Sequence, residues 1–115
     1  NILTNGIDAL EEYNDQRSLE EVKENPSLIT IYTEVINPDW VQIRIVDNGL
    51  GMTEEVRQRL FDPFFTTKSV GKGTGLGLSI SYQIVVEKHK GKLQCISAPG
   101  QGAEFLIKIP IRQRY

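Results

Sequence analysis

The sequence predicts an α/β protein of the α+β kind, a two-layer sandwich in which a mostly antiparallel or mixed sheet is covered on one face by helices. Two observations carry this. The β-rich runs come in pairs joined by only a few residues, too few for the crossover that a parallel pair needs. Helical patterns stand before and between those pairs, as when helices cover one side of a sheet. At 115 residues, 39% of them hydrophobic and 24% charged, the chain suits one compact domain with one core.

Asn1 to Glu12 has a helical pattern, but no capping residue or turn announces its start, so the chain is expected to begin inside an element. Glu11 to Ser27 turns polar and reads as a connector, with a short helix opened by the capping spacing of Ser18 and Glu21. Ile29 to Ile36 and Trp40 to Asp47 are β-rich and flank Asn37-Pro38-Asp39, whose fixed proline φ and Asx side chains favour a hairpin turn. Thr53 is a fitting N-cap for a short helix to Leu60, with Glu54 and Glu55 at its positive end. Ser69 to Gly75 is a glycine-rich loop. Beyond it Leu76, Ile80, Ile84 and Val85 fall at helical spacing up to about Lys90, where Gly91 marks a stop. Lys92 to Ser97 and Glu104 to Ile111 are strands around Ala98-Pro99-Gly100-Gln101-Gly102, with Phe105, Ile107 and Ile109 on one face.

Thirteen Lys plus Arg against fifteen Asp plus Glu give a net charge of −2, so no global basic field exists to hold a nucleic acid or an anionic membrane. The apolar stretches are short and no signal-peptide pattern is present, so direct membrane insertion is not expected. Cys95 stands alone, which excludes an internal disulfide and a Cys-rich zinc site and suits a reducing compartment; it reads as a core strand residue.

Four segments can carry chemistry. On the first helix Asn1, Asn5, Asp8 and Glu12 share one stripe opposite Ile2, Leu3, Ile7 and Leu10. That stripe is either a solvated face or a set of hard oxygen ligands of the sort Mg²⁺ accepts beside water and phosphate. In the strand ending at Asp47, period-two alternation puts Val41, Ile43, Ile45 and Asp47 on one face, aiming a carboxylate at the core. Such a group requires a donor. An exocyclic amine of a base would serve, and so would the turn of a structural Asp-Asn-Gly. Gly71-Lys72-Gly73-Thr74-Gly75-Leu76-Gly77 runs into a helix, so its N–H groups can cradle phosphate or simply form a flexible link. Its spacing is neither a Walker A loop nor a dinucleotide-binding turn. Lys68 and Lys72 flank it as phosphate partners or surface lysines. Phe61-Asp62-Pro63-Phe64-Phe65 sets three phenylalanines beside this loop, as core or as a latch pinning one end of a lid.

Taken in order, these segments resemble the boxes of the sensor histidine kinase catalytic and ATP-binding domain, within the superfamily of gyrase, chaperone and mismatch-repair ATPases. Asn1 to Ala9 resembles the N box, Asp47 to Met52 the G1 box, Phe61 to Lys68 the F box, Gly71 to Leu78 the G2 box, and Gly100 to Phe105 the last glycine turn. The resemblance covers nearly the whole chain and implies a Bergerat-type ATP-binding fold. It implies that Asn5 coordinates Mg²⁺ on the ATP phosphates with Asn1 beside it, that Asp47 accepts the adenine amino group, and that Gly49 and Gly51 line the base pocket. It implies also that Gly71, Gly73, Thr74, Gly75, Leu76 and Gly77 shape the lid and that Lys68 or Lys72 approaches the γ-phosphate. The implied partner is a histidine-bearing dimerisation domain of the same parent, and through it a response regulator, in the cytoplasm. Three features depart from the pattern: Ala103 replaces a common Ser or Thr, Asp8 replaces a common basic residue, and the connector is long. The strand and half-helix that relatives place before Asn1 are not in this sequence. His89 suits the end of its helix and is not read as a phosphoacceptor. Two further functions fit the same boxes: a nucleotide-binding interaction domain without kinase activity, and a serine kinase of the anti-sigma type.

Overall fold

The computed structural model of the chain describes residues 1–65 and 77–112. Helix α1 spans Ile2–Asp15 and α2 spans Leu19–Glu24; strands β1, Ile29–Asn37, and β2, Trp40–Asp47, follow. Helix α3 covers Glu54–Arg59, α4 covers Gly77–Tyr82 and continues as a π-helical segment through Gln83–Lys88, and the chain closes with β3, Lys92–Ser97, and β4, Ala103–Pro110. The four strands form one antiparallel sheet in the order β1-β2-β4-β3.

The local signals act as the sequence leads one to expect. The Ser18 hydroxyl accepts from the Glu21 N–H while the Glu21 carboxylate accepts from the Ser18 N–H, a full capping box. The Thr53 hydroxyl accepts from the Val56 N–H at 3.3 Å, so α3 starts where a hydroxyl can satisfy an orphan donor. Asn37 accepts from the Asp39 N–H at 2.8 Å, closing the β1–β2 turn as an Asx turn.

Register sets the site. Ile29 lies opposite Asp47, Asp47 opposite Ala103, and Ala103 opposite Ser97, so one row crosses the whole sheet at one end. Behind that row, Leu93, Cys95, Ala103, Phe105 and Ile107 join Ile2, Leu60 and Val85 in the core, with Ile43, Ile45 and Ile109 packed against them. Phe105 is its centre, and Phe61 meets it edge-on with ring centroids 6.4 Å apart.

Both helix faces differ from the sequence reading. On α1 the buried positions are Ile2, Gly6 and Leu10, while Leu3 and Ile7 are 43% and 49% exposed. On α4 and its continuation Ser79 and Val85 are buried, whereas Ile80 and Ile84 are exposed. The expected α-helix to Lys90 also widens at Gln83 to π winding. Its end is made by Lys90 at φ 57°, with the Gly91 N–H donating to the Val85 carbonyl at 2.8 Å. Gly91 serves another need there: a Cβ on it would stand 2.2 Å from the Lys108 carbonyl of β4. Of the three phenylalanines only Phe61 packs into the core. Phe64 is 73% exposed with φ 66°, and Phe65 lies under the Arg59 guanidinium.

A Cβ at Gly6 would meet Ile29 at 3.5 Å and the Asp47 carboxylate at 3.8 Å, ordinary contacts. Glycine inside a helix costs about 0.5–1 kcal/mol relative to alanine. Gly6→Ala is therefore expected to raise stability by about that amount, read as a higher urea midpoint at unchanged slope. Gly91→Ala should lower the midpoint instead, because a strand backbone must move.

Candidate functional site

Alternation along β2 turns Asp47 inward, where it is 8% exposed. Its carboxylate accepts from the Gly49 N–H at 3.0 Å, and the backbone N–H of Ala103, the opposite residue of the sheet row, lies near enough to favour its ionised form. Burial pushes its carboxyl above the ordinary value of 3.8, and the two amide donors pull it partly back. One backbone bond and one nearby amide do not exhaust an ionised carboxylate, which has about four acceptor positions.

Helix α1 forms the wall above this group. Gly6 faces the second carboxylate oxygen without a side chain, and Gly49 sits where a Cβ would press on Asp47 at 3.2 Å and on Leu10 at 3.5 Å. The next turn is fixed by close backbone approach. Gly51 has φ 73°, and a Cβ there would stand 2.1 Å from the Ala98 carbonyl; Gly102 has φ 68°, and its Cβ would stand 2.1 Å from the Asp47 carbonyl. Only glycine meets both requirements at once. The Gly100 N–H donates to the Leu50 carbonyl at 2.6 Å, so the loop after β2 and the turn between β3 and β4 are closed on each other.

At its other end α1 touches the helix that follows the glycine loop. The Asn1 side-chain amide donates to the Gly77 carbonyl at 3.1 Å. Asn5 lies one turn on, half-buried, its N–H bonded to the Asn1 carbonyl at 2.9 Å, with no side-chain hydrogen bond among the described residues. Asp8 is half-buried and Glu12 exposed, so the polar stripe of α1 is not a uniformly solvated face. One helix thus carries Asn1 beside Gly77, Asn5 in the middle, and Gly6 beside Asp47. Lys68, Gly71, Lys72, Gly73, Thr74, Gly75 and Leu76 lie outside the described residues.

Ser97 and Asn48 at this end have no role in the sequence reading, and Ala103 is singled out there only for its missing hydroxyl. Ser97 accepts from the Met52 N–H at 3.0 Å and donates to the Gly102 carbonyl at 2.6 Å, joining the two turns through one hydroxyl. Parity could have found it: Leu93, Cys95 and Ser97 alternate inward on β3, as Ile43, Ile45 and Asp47 do on β2. Ala103 brings its backbone N–H near the carboxylate, visible only once the register is known. Asn48 turns away from Asp47 and binds the chain entering β1, accepting from the Leu28 N–H at 2.8 Å and donating to the Pro26 carbonyl at 2.9 Å.

This sheet end, with its buried carboxylate, glycine-shaped turns and polar helix stripe, belongs to a chain that sequence comparison assigns to a class of ATPases. Residues 1–113 match the family described as histidine kinase-, DNA gyrase B-, and HSP90-like ATPase, and the chain belongs to that family. Among curated relatives it is 42% identical over 93 residues to Sporulation kinase E of Bacillus subtilis (strain 168), covering 81% of this chain and 12% of that protein. It is 46% identical over 83 residues to the signal transduction histidine-protein kinase AtoS of Escherichia coli (strain K12), covering 72% of this chain and 13% of that protein. The chain therefore spans only a small part of the relatives it matches. Among solved structures it resembles the mycobacterial sensor histidine kinase MprB, with a TM-score of 0.64 at 29% identity over 76% of this chain and 59% of that one. The catalytic domain of histidine kinase ThkA aligns with a TM-score of 0.62 at 36% identity over 73% of this chain and 53% of that one. Full-length ShkA in complex with AMPPNP aligns with a TM-score of 0.64 at 28% identity over 75% of this chain and 18% of that one.

Because the folded Asp47 carboxyl titrates above its unfolded value, its contribution to stability is full at low pH and is lost as pH rises through the raised value. Asp47→Asn removes that loss. In urea unfolding, the stability of Asp47→Asn relative to wild type is expected to shift in favour of the variant from acid to neutral pH.

Proposed function

We propose that this chain is the ATP-binding catalytic unit of a sensor histidine kinase. It binds Mg²⁺-ATP and delivers the γ-phosphoryl group to a histidine on a separate dimerisation domain of its parent, from which a response regulator receives it. The observation that carries this reading is Asp47: an almost fully buried carboxylate with acceptor capacity to spare, facing a helix that lacks a side chain opposite it. An adenine amino group supplies the missing donor, and Gly49 and Gly51 leave the base room to approach. The sheet end fits the nucleotide in this respect, and the AMPPNP complex of ShkA, a structural relative, supports the choice of ligand.

The remaining roles follow along α1. Asn5 gives Mg²⁺ an amide oxygen, enough for an ion that keeps water and takes phosphate oxygens for most of its shell. Asn1 anchors Gly77 and so fixes where the lid ends. Gly71, Gly73, Thr74, Gly75 and Leu76 cradle the phosphates, with Lys68 or Lys72 at the γ-phosphate. Bound metal neutralises phosphate charge; the chain's own residues orient the nucleotide, and no nucleophile is required of them. Cys95 takes no part: it is buried and its thiol is pushed up to about 11 by burial.

The unit is read as one domain of a longer cytoplasmic or membrane-anchored parent. Among the described residues no helix is long and apolar enough to cross a membrane. Leu3 and Ile7 on α1, with Ile31 and Val35 on the helix-bearing face of β1, form apolar surface suited to further elements of the parent. One observation favours a second reading, a nucleotide-binding domain without kinase activity. Ala103, opposite Asp47, offers no hydroxyl to the base.

Calorimetric titration of ATP with Mg²⁺ tests the reading. Asp47→Asn is expected to weaken ATP by about tenfold or more, the scale of one hydrogen bond to a charged group, and unchanged affinity contradicts the assignment. Wild-type affinity should also fall as pH drops through the raised carboxyl value, since a protonated Asp47 is a poorer acceptor. With labelled ATP and the parent's histidine domain, acid-labile phosphate supports the kinase, and ATP binding without transfer supports the second reading.

A further inference from the structure

The polar connector between α1 and β1 is bolted at three points. At its centre Arg17 is half-buried, and its guanidinium lies 4.4 Å from the Tyr13 ring centroid. Nη1 donates to the Asn25 carbonyl at 2.7 Å and to the Glu21 carbonyl at 3.4 Å, both at the negative end of α2, while Nη2 donates to Asn14 Oδ1 at 2.8 Å. At its base the same Asn14 donates through Nδ2 to the Ser27 hydroxyl at 2.8 Å. At its exit Asn48 holds the Pro26 carbonyl and the Leu28 N–H, and its own N–H donates to the Leu28 carbonyl at 3.3 Å. Arg17 and Asn14 thus fix the segment from Asn25 to Leu28 that Asn48 grips. Asn48 stands between Asp47 and Gly49, the donor–acceptor pair at the centre of the site.

We propose that Arg17 is a positioning residue for the base pocket, acting through the connector and Asn48 on the Asp47–Gly49 turn; this rests on the reading of Asp47 as the base acceptor. A planar, five-donor guanidinium suits the task because it serves Asn14 and two carbonyls at once. A lysine ammonium cannot span these acceptors in the same geometry. The connector acts on the base and not on the phosphates, because its contacts end beside Asp47 and not beside Gly77.

The test titrates ATP and inorganic tripolyphosphate, each with Mg²⁺, into wild type, Arg17→Ala, Arg17→Lys and Asp47→Ala. Arg17→Ala is expected to weaken ATP on the order of fivefold, and Arg17→Lys less, with affinity for tripolyphosphate unchanged in both. A general loosening of the fold would weaken the two ligands alike, and that result overturns the proposal. So does wild-type ATP affinity in Arg17→Ala when Asp47→Ala has lost it. If Arg17→Ala does not fold, Arg17→Lys decides by the same comparison. ATP binding retained by Asp47→Ala overturns the base-pocket reading itself, and the role of Arg17 with it.

Discussion

A carboxylate buried at the end of a strand is the constraint around which this structure is arranged. An ionised group removed from water costs several kcal/mol unless hydrogen bonds replace its hydration. The fold supplies one from backbone, the N–H of Gly49 in the turn that follows Asp47, and sets the Ala103 N–H of the opposite strand nearby. Backbone groups cannot swing away as a side chain can, so the carboxylate is held in one place and its remaining acceptor positions point in fixed directions. A site that must recognise an amine gains from this preorganisation.

The same demand explains the local backbone. The turn between β3 and β4 presses against the strand end that carries Asp47, and Gly102 allows it by having no Cβ. Gly51 makes the reciprocal approach on the other side, and Ser97 fastens the two turns with a single hydroxyl. Helix α1 then links this rigid corner to the start of α4 through Asn1 and Gly77.

Much of this was legible in the sequence, and the limits are physical. Strand alternation is nearly exact, so the inward aim of Asp47 followed from Ile43 and Ile45 alone, and the capping box and Asx turn followed from short-range hydrogen-bonding chemistry. Helix faces were less legible. Leu3, Ile7, Ile80 and Ile84 are apolar, and composition gives no sign of whether an apolar stripe meets the domain's own core or another surface; here Gly6 and Ser79 occupy buried positions instead. The π winding after Tyr82 moves side chains out of the 3.6-residue period on which the stripe was read. Asn48 shows a third limit. Its place beside Asp47 gives no sign of direction: a side-chain amide can serve either side of the chain, and only the path of the connector decides which.

Membership of the ATPase family and likeness to sensor histidine kinases point to ATP, and the proposed base acceptor, Asp47, is where the account is most directly exposed to test. The most direct measurement is carbon-detected NMR of the Asp47 carboxyl, titrated with pH in the free and ATP-bound protein. A base amine donating to the carboxylate favours its ionised form, so ATP should lower a titration midpoint that is raised in the free protein. An Asp47 midpoint that ATP leaves unmoved, at saturating nucleotide, would contradict the account.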